Sequence, residues 1–179
     1  MTDAVETFRR VLVPLDFRVA EPADEGHPAV LAFEVDGQAM AMAPGTERAL
    51  EFAAALARKT TAALSLVHVV PPLADSPMYH GPVPLPAGLI QEVRDRAMQR
   101  AMQLIHLIRD RLCPDLSVDA IVRPGLPREV LLEEARRQAA DLIVMAASSR
   151  GRLVRFVVGS TTDHLIREAP CPVVVIPPE

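Results

Sequence analysis

The sequence predicts an α/β domain: a doubly wound, five-stranded parallel sheet with a β-hairpin inserted after its first strand. Three observations predict it. Four short apolar runs, at residues 11–13, 64–70, 142–147 and 173–176, are continuous rather than alternating. Strands buried on both faces of a parallel sheet have this pattern. Amphipathic helical stretches lie between the runs, and such alternation reads as βαβ units. Finally, Asp36-Gly37 sits between two apolar stretches inside an overlong connection, a strong signal for a two-residue hairpin turn.

Taken in order, the first strand is Val11-Leu12-Val13. The first helix, residues 46–59, puts Ala49, Leu50, Ala53, Leu56 and Ala57 on one stripe, the spacing that turns a single helical face inward. The second strand follows at 64–70. A long helix at 87–113 repeats apolar residues at Ile90, Val93, Ala97, Ala101, Leu104 and Ile108, and Pro114 marks its end. Residues 117–123 (SVDAIVR) form a weaker strand. Pro127 stands where a first helical residue belongs, and Val130, Leu131, Ala135 and Ala139 form the inner face that follows. The fourth strand, 142–147, leads to a short helix over 160–168 closed by Ala169-Pro170, and 173–176 is the last strand.

Two stretches fall outside the alternation. Residues 18–45 join the first strand to the first helix, where 2–6 residues would be usual. Within them, 29–35 and 38–43 are the arms of the hairpin. Residues 71–88 carry six prolines (71, 72, 77, 82, 84 and 86) and read as an extended loop. With 179 residues the chain is expected to be a single domain, 1–179, decorated by the 18–45 insertion.

Composition excludes several classes. The net charge is −4 with pI about 5.7, a poor balance for a general binder of nucleic acid or anionic membrane. Five Phe, one Tyr and no Trp leave no aromatic platform for single strands. Cys113 and Cys171 have no metal-ligand spacing, and none of the five histidines pairs with another at such spacing. The polar start of the chain and the lack of any apolar run near 20 residues lead us to expect a cytoplasmic protein with no membrane partner. Gly-x-Ser-x-Gly and Walker A patterns are both missing, and Lys59, the only lysine, lies at a helix end. The expectation is therefore no enzyme, or at most slow and incidental ATP hydrolysis.

In an open parallel sheet, ligands sit beyond the carboxyl ends of the strands, where strand order reverses. That directs attention to Asp16, to His68 through Val70, to Arg123 and to the stretch from Ser148. His68 itself reads as a core or rim histidine. In the stretch SSRGRLVRFVVGSTT at 148–162, small residues surround Gly151, and Gly159-Ser160 opens a helix. Backbone N–H groups there, with a hydroxyl from Ser160 or Thr161, suit a phosphate. The alternative is a plain turn and helix cap.

The chain resembles the universal stress protein family. The matching segments are RVLVPLDF at 10–17, RALEFA at 48–53, LVHVV at 66–70, GLP at 125–127, ADLIVM at 140–145, SSRGR at 148–152, GS at 159–160 and APCPVVVI at 169–176. The resemblance implies strand order 3-2-1-4-5 and a regulatory stress-response module that binds ATP or another adenine nucleotide, with no magnesium ion that the sequence requires. It implies a homodimer through the last strand (Val173, Val174, Val175, Ile176), acting on a regulatory partner protein not identified by sequence. The implied nucleotide site comprises Pro14, Asp16, Val69, Ser148, Arg150, Gly151, Gly159, Ser160 and Thr161. The chain departs from the family's phosphate motif twice. Ser148 stands at the first glycine position, and seven residues rather than nine separate Gly151 from Gly159. Arg150, Arg152 and Arg155 are positioned in sequence to compensate. The rival readings are a family member that acts through protein contacts alone, supported by those two departures, and an ATP-hydrolysing enzyme of the same superfamily.

Overall fold

A computed structural model of the chain describes residues 8–20, 32–43, 45–72, 86–147 and 159–177. Five parallel strands form the main sheet: β1 (Arg10–Pro14), β5 (Ala63–Val70), β6 (Val118–Pro124), β7 (Leu142–Ala146) and β8 (Val173–Ile176), in the order β6-β5-β1-β7-β8. In the chain order of these five strands that is 3-2-1-4-5. Strand β1 is central, running beside β5 from Arg10↔Ala63 to Pro14↔Val67 and beside β7 at Val11↔Leu142 and Leu12↔Ile143.

Each strand divides its side chains between two cores, because successive residues point to opposite faces. Val11, Val13, Leu64, Leu66, Val122, Leu142 and Val144 meet helices α1 (Thr46–Thr60) and α2 (Ala87–Leu112). Leu12, Val67, Val69, Ile121, Ile143 and Met145 meet α3 (Pro127–Arg137) and α4 (Ser160–Glu168). Ala49, Ala53 and Ala57 are fully buried. These small side chains let α1 lie close on the sheet, which is how an aromatic-poor chain fills its interior. Helix α3 opens on Pro127 as expected. Gly125, just before it, has φ +141 and leaves only 2.7 Å between an added Cβ and Val130 Cγ2, so a side chain there would collide with the helix it introduces.

The opposite end of the sheet is held by Asp141. Its carboxylate accepts the backbone N–H of Arg9 (2.7 Å) and Arg10 (3.2 Å), joining the start of β1 to the start of β7. Beside it, the Arg10 guanidinium donates to Gln138 (2.8 Å).

The insertion builds a second sheet. Strands β3 (Ala32–Val35) and β4 (Gln38–Met42) pair antiparallel around Asp36 and Gly37, whose φ values are 50 and 71. Two left-handed residues make the tight turn whose twist suits a hairpin. Sequence reading omitted one strand: β2 (Phe17–Val19) pairs with β4, giving the order β2-β4-β3. Its three residues are too short to show a period. Phe33, Val35 and Met42 are buried in the same core as α1 and α2. Arg100 of α2 donates to Asp36 (3.3 Å) and Gln38 (3.1 Å), and Arg111 lies 5.7 Å over the Phe33 ring. The insertion thus belongs to the packing of the α2 side.

One interior group is out of keeping. Ser65 is fully buried in β5, and its Oγ has no hydrogen-bond partner among the described residues. An unsatisfied buried hydroxyl costs on the order of 1–3 kcal/mol. We predict that Ser65→Ala leaves stability unchanged or raises it by about 1 kcal/mol, whereas Leu12→Ala, at a fully buried neighbour in register, costs about 2–5 kcal/mol. Urea unfolding midpoints of the two variants check both signs.

Candidate functional site

The strand order reverses between β1 and β7: the chain leaves β1 towards β5 and β6, then crosses to β7 and β8. The crevice at the carboxyl ends of β1 and β7 is the place where such sheets take ligands.

Pro14 ends β1 and is half-buried. The next residue extends the pairing, since Leu15 N–H donates to Val67 O (2.8 Å). Asp16 follows, exposed at the rim. Its carbonyl accepts the N–H of Ala43 (2.9 Å), the residue after β4. Asp16 is therefore held between the main sheet on one side and the inserted sheet on the other. Val69 lies on β5, buried, in register with Arg123 of β6. These placements bring Pro14, Asp16 and Val69 to one rim on adjacent strands.

Gly159, Ser160 and Thr161 open α4. Gly159 precedes the helix in extended conformation (φ −62, ψ 157), and no side chain caps the N-terminus. Any residue adopts that backbone, so φ does not require a glycine here. Uncapped N–H groups and the helix dipole give this end partial positive character. Ser160 is exposed and Thr161 half-buried. Helix α4 packs on α3 and β8, so this N-terminus is carried by the half of the sheet beyond the switch point. Ser148, Arg150 and Gly151, with Arg152 and Arg155, lie outside the described residues.

His68 is half-buried at the rim, as a core or rim histidine should be. Its Nδ1 lies 2.8 Å from the Leu15 carbonyl oxygen, and its ring stacks on Phe17 at 4.5 Å between centroids and 25° between planes. A carbonyl only accepts, so Nδ1 carries the proton. Burial pushes the imidazole pKa down, and the Leu15 carbonyl and the nearby Asp16 charge only partly offset this. Neutral His68 thus joins the end of β5, the end of β1 and the first residue of the insertion.

Arg123, at the end of β6, is committed elsewhere. Its Nε donates to Glu134 (2.8 Å), which also accepts from Arg137 Nη2 (2.6 Å). Glu134 is 3% exposed. Burial alone would raise its pKa, but hydrogen bonds and charge from Arg137 and Arg123 outweigh that and hold it below the ordinary value. Sequence reasoning missed this acid. The available signal was its place between Leu131 and Ala135 on the inner stripe of α3. Among the described residues, no three His, Cys, Asp or Glu side chains are grouped to hold a metal ion. No helix among them is long and apolar enough to cross a membrane.

Fold and crevice together define a doubly wound α/β domain of the kind that binds its ligand at the strand-order switch. Comparison with known proteins narrows that class. The profile of the universal stress protein family matches residues 39–177, and the chain belongs to that family. A universal stress protein of Thermus aquaticus is 30% identical over 100 residues, covering 54% of this chain and 73% of the relative. The solved structure of the hypothetical protein MJ0577 superposes with TM-score 0.70 at 18% identity, over 97% of this chain and 98% of that one. An Arabidopsis thaliana family protein with AMP bound superposes with TM-score 0.52 at 16% identity, over 96% and 92% of the two chains. An Archaeoglobus fulgidus universal stress protein in complex with dAMP also gives TM-score 0.52, at 19% identity, over 95% and 98%.

The lowered His68 pKa sets a pH dependence. In the unfolded chain the group titrates near 6.5, and in the folded one below that. Between the two values the unfolded chain binds the extra proton, so stability rises with pH there. We predict that stability falls as pH drops below about 6.5 and that the loss levels off at the folded pKa. In His68→Phe, which keeps an aromatic stack but cannot titrate, that component of the slope disappears. Urea midpoints measured from pH 7.5 to pH 5 for both proteins provide the check, with other titrating groups common to the pair.

Proposed function

We propose that this chain is an adenine-nucleotide-binding regulatory module of the stress response, one that works by occupancy rather than by turnover. The observation that carries this reading is a rim carboxylate, Asp16, just beyond the carboxyl end of β1 at the switch point, in a fold whose α4 opens on an uncapped N-terminus at Gly159-Ser160-Thr161. A carboxylate accepts hydrogen bonds from ribose hydroxyls or the adenine amino group, and the helix end suits phosphate. Relatives of the same fold carry AMP and dAMP, which supports the ligand class. Val69 would present backbone to the base. Ser148, Arg150 and Gly151 would complete the phosphate side, and ATP is one nucleotide to be tried. Without a nucleophile–base pair identified in the sequence, occupancy is the simpler mode of action.

We place the protein in the cytoplasm as a homodimer. β8 is an edge strand whose four residues are all half-buried, and pairing two such edges would cover their unpaired backbone groups. The competing reading is a member that acts through protein contacts alone. Ser148 in place of glycine and the short Gly151–Gly159 spacing favour it.

Calorimetric titration with ATP, ADP and AMP tests the ligand. The expected result is saturable binding that Asp16→Ala weakens by about tenfold, the size of one or two lost charge-assisted hydrogen bonds. No heat with any of the three would favour the contacts-only reading. For the assembly, Val174→Asp should halve the sedimenting mass of a last-strand dimer; an unchanged mass would place the interface elsewhere.

A further inference from the structure

We infer that His68 is a positioning residue for the ligand crevice: by drawing the Leu15 carbonyl off the β1–β5 ladder, it leaves the backbone N–H and C=O of Val69 open to a bound ligand. That the ligand is an adenine nucleotide rests on the reading proposed above, whereas the open backbone pair stands without it.

The hydrogen bonds of β5 show which way each of its residues faces. Ala63 N–H donates to Arg9 O (2.9 Å) and Val67 O accepts from Leu15 N–H (2.8 Å), both on the β1 side. Leu64 N–H donates to Ser117 O (2.9 Å) and Val70 O accepts from Gly125 N–H (3.0 Å), both on the β6 side. In a strand the N–H and C=O of one residue point to the same edge, and successive residues alternate. Val69, two residues beyond Val67, therefore faces β1. The next rung of the parallel ladder would join Val69 N–H to Leu15 O, but the register ends at Pro14↔Val67.

The Leu15 oxygen lies instead 2.8 Å from His68 Nδ1. His68 shares the α1/α2 face of the sheet with Leu66 and Val70, so this bond draws the oxygen out of the sheet plane. A carbonyl oxygen has two lone pairs, yet only the imidazole is served. Phe17 stacks on the ring and pairs with Met42, while Asp16 O accepts from Ala43 N–H. The insertion thus holds the imidazole and carries the chain away from β5 at the same point. Val69 is only 8% exposed, and among the described residues no group pairs with its N–H or C=O. Buried backbone groups are nearly always paired, so this open pair, on the rim that carries Asp16, calls for a partner arriving there. The N–H and C=O of one residue, side by side, match an edge that sets an acceptor next to a donor. The ring nitrogen and exocyclic amino group of adenine form such an edge.

Amide hydrogen exchange of the full chain without ligand tests the geometry. In wild type, Val69 N–H should exchange roughly tenfold or more faster than Val67 N–H. His68→Phe keeps a ring for Phe17 but has no donor, so the Leu15 oxygen returns to the ladder and Val69 N–H should slow by about tenfold or more. His68→Asn carries a donor near the place of Nδ1 and should keep Val69 N–H fast. Calorimetry reads the ligand side. Wild type should bind AMP about tenfold more tightly than purine riboside 5′-monophosphate, which lacks the amino group. His68→Phe should bind AMP about tenfold more weakly and lose that preference, and His68→Asn should recover most of both. A merely structural role for His68 would weaken the two ligands alike and leave the preference intact. That result, or Val69 exchange that is as slow as Val67 in wild type or unaltered in His68→Phe, would overturn the inference. Exchange that follows the expected pattern in a chain that binds no nucleotide would sink the nucleotide reading and uphold the open pair. Circular dichroism of each variant guards against loss of fold.

Discussion

The central strand β1 imposes the constraint on which everything else depends. Val11, Leu12 and Val13 are all fully buried, so neither face of the strand and neither edge of its backbone meets water. A strand in that position must be paired on both sides and roofed on both faces. The β5 and β7 neighbours and the two pairs of helices meet that demand. With every face closed, the ends of the strands are the only places where polar groups can collect. The acid Asp141 fastens the amino end. The carboxyl end carries the insertion, and it is the same rim that holds Asp16 and the strand-order crevice.

Much of this was legible before any coordinates. Continuous Val, Leu and Ile runs reveal strands buried on both faces, and Pro127 and Pro114 bracket helices because proline sets one boundary and ends another. Asp36-Gly37 marks its turn because few other residue pairs tolerate two left-handed conformations. What escaped was set by contacts distant in sequence. The β2 strand is a strand only because β4 returns beside it. Glu134 is buried only because Arg123, eleven positions earlier, and Arg137 both reach it. At the site, Pro14, Asp16 and Val69 could be placed from strand ends alone. The double hold on Asp16 could not, since Ala43 reaches it through the fold of the insertion.

Polar chemistry in this molecule is sparse and placed with economy. Where charge is buried, as at Glu134, two arginines answer one carboxylate. Where imidazole is half-buried, at His68, it stays neutral and spends its one proton on a carbonyl. Ser65 breaks this pattern with a hydroxyl that nothing satisfies.

The insertion leaves the host strand at Phe17 and returns at Met42, and these two residues face each other across a single ladder rung. To the parent sheet, the whole excursion is topologically a tight turn. Its length can change without altering the gap that the parent must span. That makes the rung a natural splice junction, where another folded module with closely spaced ends could be exchanged for the present one. Because the rung adjoins Asp16, any such module would be wired by its first residue to the ligand rim, and its occupancy would be felt there through a single peptide bond.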